Sequence, residues 1–296
     1  WMYLKELFTQ ILRLFLALAL GNIIGFATFA FYSIVSFALN IWKLDIATDF
    51  VSFSDVEYSP ILAIFLFVGS IIAGLIFNSL EGPRSHGPAD LMVCIRNEDS
   101  PNLKAGFITS CLTMVSVSSG SSVGMFGPII HYGGCIAASL ERFFKLLSRG
   151  VVLAAGGAAG IAALFSAPIA ASIFAHEMLL RRFRANESLP VVMAALGGYF
   201  AAVMLLGDDR RFLSIVGDPP PLDPTSLGLA ILVGIFSGLL SSLYVYLIGS
   251  GPGWVKKTNI SPIFRPIIPA TILFIISPFF PQLIGPGMPA VNLALA

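Results

Sequence analysis

The segment Gly120-Ser121-Ser122-Val123-Gly124-Met125-Phe126-Gly127-Pro128 holds residue types with two kinds of chemistry in reach. Its first five residues fit Gly-x-Ser-x-Gly, the nucleophile elbow of a serine hydrolase, which would make Ser122 a nucleophile. Its glycines, serines and closing Gly-Pro equally suit a loop that offers backbone N–H groups to an anion at a helix start. A nucleophilic serine needs a base and an orienting acid. The histidines are His86, His131 and His176; His131 follows Ser122 by nine residues, and His176 precedes Glu177. A Ser122–His176 pair inside a membrane would resemble an intramembrane protease. The elbow also needs a strand ahead of its serine, and none is predicted there, so an intramembrane serine hydrolase is only the remote alternative. No metal-ligand cluster, Walker loop or dinucleotide fingerprint occurs, and neither a cofactor nor an enzymatic reaction is expected.

The anion chemistry draws on three stretches together. In "RSHGPADL", Arg84 to Leu91, Ser85, Gly87 and Pro88 precede a helix-like run. "GMFGPIIHYGG", Gly124 to Gly134, repeats the arrangement, and "GGAAGIAALFSAPIAASIFAHEM", Gly156 to Met178, joins two short helices by a Ser-Ala-Pro break. A helix N-terminus carries unpaired N–H groups and a partial positive charge. Two such ends aimed at one point within a membrane would replace part of an anion's hydration, and a serine hydroxyl would add a donor. With no full positive charge present, the ion binds and still leaves. Each stretch alone reads as a cap or a helix breaker; their coincidence carries the reading.

The elements that must position these residues follow from composition. The 296 residues are 56% hydrophobic and only 11% charged, with mean hydropathy +0.89, whereas a soluble domain carries about 25% charged residues. Lipid must therefore cover much of the surface. Net charge is +1, which argues against a nucleic-acid partner. Apolar segments are predicted at 7–41, 60–80, 103–117, 129–140, 151–164, 169–180, 190–206, 227–250 and 263–280. A straight crossing takes about 20 residues. The first segment is long enough to tilt, and several central ones are too short and are broken by Gly or Pro. Irregular backbone at membrane depth survives only inside protein or beside a water-filled path, so the pattern predicts an all-α, polytopic transporter or channel. Cys94, Cys111 and Cys135 lie in or beside apolar segments without metal spacing and are expected to be buried thiols. Basic loops near residues 145, 182 and 256 are expected inside the cell, and the acidic or mixed loops near 50 and 215 outside.

These stretches resemble the CLC family of chloride channels and chloride/proton antiporters. Ser85-His86-Gly87-Pro88 resembles the family's Gly-Ser-Gly-Ile-Pro, with Ser85 at the anion-coordinating serine and with His86 and Gly87 as departures. Gly124-Met125-Phe126-Gly127-Pro128 resembles Gly-Lys/Arg-Glu-Gly-Pro, and "GAAGIAALFSAPIAASIFAHE" is the most specific of the three matches. The resemblance covers roughly residues 60 to 180. It implies an inverted-repeat fold in a single transmembrane domain over 1–296, with a first repeat at roughly 1–206 and the start of a second at roughly 225–296. It further implies that the remainder of that second repeat lies beyond the chain given.

The same resemblance implies a homodimer in a bacterial-type inner membrane, each subunit conducting chloride or a similar small anion. Ser85, Phe126, Gly127 and Pro128 would then form the anion site. The family's gating glutamate falls at Phe126 and its internal proton-path glutamate at Met178, and neither side chain carries a proton. A coupled exchanger needs ionisable groups along its path. The expectation is passive conduction, with a proton-coupled antiporter using His131 or His176 as a substitute relay as the alternative.

Overall fold

A computed structural model describes residues 1–41, 60–80, 87–206, 223–257, 260–280 and 283–287. Ser85, His86 and the acidic and mixed loops near 50 and 215 lie outside these residues. The described residues are helical, in the order α1 (Met2–Asn40), α2 (Pro60–Asn78), α3 (Pro88–Asn97), α4 (Leu103–Ser118), α5 (Phe126–Leu140), α6 (Arg149–Phe165), α7 (Pro168–Phe174), α8 (Ala185–Leu206), α9 (Pro224–Lys257) and α10 (Ile267–Ile276). A π-helical turn, Ala175–Leu180, extends α7. Among the described residues, three helices are long and apolar enough to cross a membrane: Tyr3–Leu39, Ala185–Leu205 and Pro224–Gly251. α1, with 39 residues, is about 58 Å long against a hydrocarbon layer of about 30 Å, so it must tilt or protrude.

α6 is the axis of the bundle. It is apolar on every side, and each residue from Gly150 to Gly160 is buried, as a helix without a polar face should be. Small residues bring its neighbours to backbone contact. A Cβ on Gly133 of α5 would collide with the Gly156 carbonyl of α6, and one on Gly156 would collide with the Gly133 carbonyl. The same small-residue packing joins Gly198 of α8 to Ala159, and Gly21 of α1 to Ala194. Between membrane helices, close approach supplies the attraction that water expulsion supplies in soluble cores. α9 differs: its residues Leu227 to Gly249 are exposed and lie outside the packed core of the described residues. Asp223 caps this helix by accepting from the Ser226 N–H at 2.7 Å.

α4 ends level with the middle of α2. A Cβ on Gly69, the tenth of the 19 residues of α2, would collide with Ser119. The irregular turn from Ser119 to Met125 therefore starts level with the middle of α2. Chain from beyond α10 closes over it: the Gly285 N–H donates to the Gly120 carbonyl at 2.9 Å. Both residues hold positive φ, 83° at Gly120 and 78° at Gly285, a conformation open to glycine without a Cβ clash. Ile284 is buried in one cluster with Phe31, Leu66, Met125, Ile129 and Leu164.

The cysteine expectation is corrected. Cys135 is buried, Cys94 is half-buried and Cys111 is exposed. A thiol facing lipid is still in apolar surroundings, so apolar sequence context alone does not distinguish core from lipid face.

Candidate anion site

The three stretches meet. A Cβ on Gly127, second residue of α5, would lie 3.5 Å from the Pro88 ring at the start of α3. The Phe126 ring packs on Phe165, last residue of α6, with centroids 4.7 Å apart and planes at 34°. α6 stops because Ser166 turns left-handed, φ 53°, and Pro168 then opens α7. Starts of α3 and α5 and the break before α7 thus surround one region of the bundle.

Their donors differ. In α5 the Ile129 N–H bonds the Met125 carbonyl at 3.1 Å, and Met125, the N-cap, makes no side-chain cap bond. Helix geometry leaves the N–H groups of Phe126 and Gly127 ahead of that first bond. Pro128 has no N–H and contributes a fixed φ rather than a donor. At α3 the Asp90 carboxylate reaches back and takes the Gly87 N–H at 2.9 Å. An internal anion thus already occupies the α3 start. Sequence reasoning missed this carboxylate, although Asp three residues after an N-cap is a readable signal.

The turn lines a cavity of about 180 Å³ with Ser70 of α2, Ser116 of α4, Ser121, Ser122 and Val123 of the turn, and Pro269 of α10. Ser119 donates to the Ser116 carbonyl at 2.8 Å and lies 3.3 Å from the Ser121 hydroxyl. Ser122 is exposed, and helix α4, not a strand, runs ahead of it.

No hydrogen bond joins Ser122 to a histidine among the described residues. His131 is buried in α5, its Nδ1 3.5 Å from the Cys135 sulfur. His176 is buried in the π-helical turn, its Nδ1 3.1 Å from the Arg182 carbonyl and its ring stacked on Phe183 at 4.8 Å. A carbonyl only accepts, so Nδ1 carries the proton of neutral His176 and Nε2 is left as an acceptor; that atom is buried without a partner among the described residues. Met178 is 46% exposed on the same turn and Glu177 is exposed beside it. The π turn itself had no sequence signal. Such turns are rare and occur often at functional sites.

The model of the family described as voltage gated chloride channel matches residues 65–296. The chain belongs to this family. It is 25% identical over 229 residues to the voltage-gated ClC-type chloride channel ClcB of Salmonella dublin, an alignment covering 76% of this chain and 55% of that protein. ClcB of Shigella flexneri is also 25% identical, with 76% and 54% covered. The chain spans about half the length of the curated relatives it matches. Among solved structures, a slow cyanobacterial Cl-/H+ antiporter superposes with TM-score 0.79 at 20% identity, covering 96% of this chain and 68% of that one. A CLC-type fluoride/proton antiporter gives TM-score 0.71 at 21% identity, covering 92% and 66%. The fold is that of a polytopic, all-α CLC protein.

Proposed function

We propose that the protein carries chloride or a similar small anion through a membrane passively, at the meeting point of the α3, α5 and α7 starts. The observation that supports this most is the side chain at the α5 start. A phenyl ring, held by Phe165, stands beside the open N–H groups of Phe126 and Gly127. The ring narrows the path by bulk and binds no proton. Those N–H groups coordinate the ion, Ser85 adds a hydroxyl, and Pro128 fixes the direction of the helix start. Met178, at the inner proton position, has no ionisable group either. The protein works as a homodimer in a bacterial inner membrane, with residues 1–206 as one repeat and 225–296 as the beginning of the other.

A second reading, proton-coupled exchange, is favoured by the buried, unpartnered Nε2 of His176 and by the two antiporters of the same fold. A pH gradient separates the readings. In vesicles holding the purified protein, passive conduction leaves the chloride reversal potential unmoved when the pH of one side changes. A shift at fixed chloride overturns it and supports proton-coupled exchange.

A further inference from the structure

A second cavity, of about 490 Å³, lies where the end of α3 meets the π-helical turn. Its polar wall is made of Arg96, Glu98, Arg181 and Arg182, and its floor includes Met92 and Leu179. None of these residues has a role in the anion path proposed above.

The charges around it do not balance. Glu187 binds Arg182 at 2.7 Å and is shared with Arg184, 3.7 Å from its other oxygen. Glu98 is the one carboxylate in the lining, against the three arginines Arg96, Arg181 and Arg182. Glu177, on the same π-helical turn, is exposed and does not line the cavity. Among the described residues, Arg96 and Arg181 have no ion-pair partner. Arg181 stands at φ 54°, a left-handed position that glycine fills at less cost.

The cavity lies at the basic end of the bundle. Arg149 binds Glu141 through Nε at 2.9 Å and the Glu98 carbonyl through Nη1 at 3.0 Å, so the 141–149 and 181–184 segments share one end with the α3 terminus. Basic segments favour the cytoplasmic side, and basic pockets between membrane helices on that side suit anionic headgroups.

We propose that this cavity binds a phosphate-bearing anion between Arg96 and Arg181, and that the source its apolar floor fits is an anionic phospholipid. Guanidinium groups match phosphate oxygens in pairs, and the exposed Val93 side chain, beside Met92 in the same lining, offers a surface for the first acyl carbons.

The test is thermal unfolding of the full chain in nanodiscs of phosphatidylcholine, with and without phosphatidylglycerol. Phosphatidylglycerol is expected to raise the midpoint of the natural protein. Arg181→Gly suits the left-handed backbone, so it should fold in neutral lipid, which the same melt checks; Arg96→Gln removes the other charge. Each variant should retain phosphatidylglycerol about tenfold more weakly by native mass spectrometry, as loss of a charge-assisted hydrogen bond implies. Arg142→Gln is the control, because Arg142 lies over the Phe143 ring at 4.7 Å and outside the cavity. An equal loss from Arg142→Gln, or no loss from Arg181→Gly and Arg96→Gln, overturns the proposal. A matching shift from inorganic phosphate in neutral lipid upholds the phosphate site and moves its source to solution.

Discussion

Phe126 and Phe165 face each other with ring centroids 4.7 Å apart, one opening α5 and the other closing α6. A tilted aromatic pair adds about 0.5–1.5 kcal/mol beyond the area it buries. The pair therefore holds the Phe126 ring at the α5 start. Phe165→Ala should free that ring and raise anion flux about two- to tenfold. Phe165→Leu, which keeps bulk, should change it less. Efflux of chloride from vesicles measures both; equal flux in all three proteins would separate the ring pair from the path.

The contact of Gly133 with Gly156 predicts a stability effect far from the site. Any side chain on Gly156 meets the α5 backbone, and overpacking costs roughly 1–3 kcal/mol. Gly156→Val should lower the unfolding midpoint in detergent clearly. Gly234→Ala, on α9, meets nothing within 4 Å and should leave it unchanged or slightly higher, since alanine is the better helix former. If both behave alike, the α5–α6 crossing is not where the structure puts it.

At the start of α9 the Asp223 carboxyl is held below its ordinary value, chiefly by the hydrogen bonds from Ser226. A lowered carboxyl contributes fully above its value in the unfolded chain, and the contribution fades as pH falls through the folded value. Protection of the Ser226 and Leu227 amides from hydrogen exchange should therefore weaken in acid. Asp223→Asn keeps a capping acceptor that does not titrate, and its protection should stay flat. A natural protein as flat as the variant would deny the cap.

Much of this architecture is legible in the residues because Gly and Pro punctuate it. Pro60, Pro88, Pro168 and Pro224 each open a helix, and the Ser-Ala-Pro break falls where the chain turns left-handed at Ser166. α8 begins at Ala185, ahead of the expected 190, with Pro190 inside the helix at the loss of one i→i−4 hydrogen bond. What stays hidden is of two kinds: contacts between residues distant in sequence, and local geometry that leaves little or no compositional mark. The π turn at 175–180 has no compositional mark. Asp90 folds back onto Gly87, and Phe165 meets Phe126 from 39 residues away. Apolar periodicity says which segments leave water; it does not say whether a face such as that of Cys111 meets protein or lipid.

The α3 start suggests the last experiment, because it shows what a carboxylate does at a helix N-terminus in this molecule. Asp90 accepts from the Gly87 N–H at 2.9 Å, and so occupies a donor that an anion would otherwise use. Phe126→Glu would bring a carboxylate to the α5 start, beside the N–H groups of positions 126 and 127. Ionised, it would compete with the ion for those donors and close the path. Protonated, it would lose that attraction, because the helix end favours negative charge. Flux through Phe126→Glu is expected to fall as external pH rises, while the natural protein stays level. Phe126→Gln is the companion variant: similar in shape to glutamate and unable to ionise, it should be as level as phenylalanine. Desolvation raises the pKa of the new carboxyl and the helix end lowers it, so the midpoint of the pH response reads which term dominates at this depth. Flux that ignores both substitution and pH would take Phe126 out of the path and with it the assignment of the α5 start as an anion site.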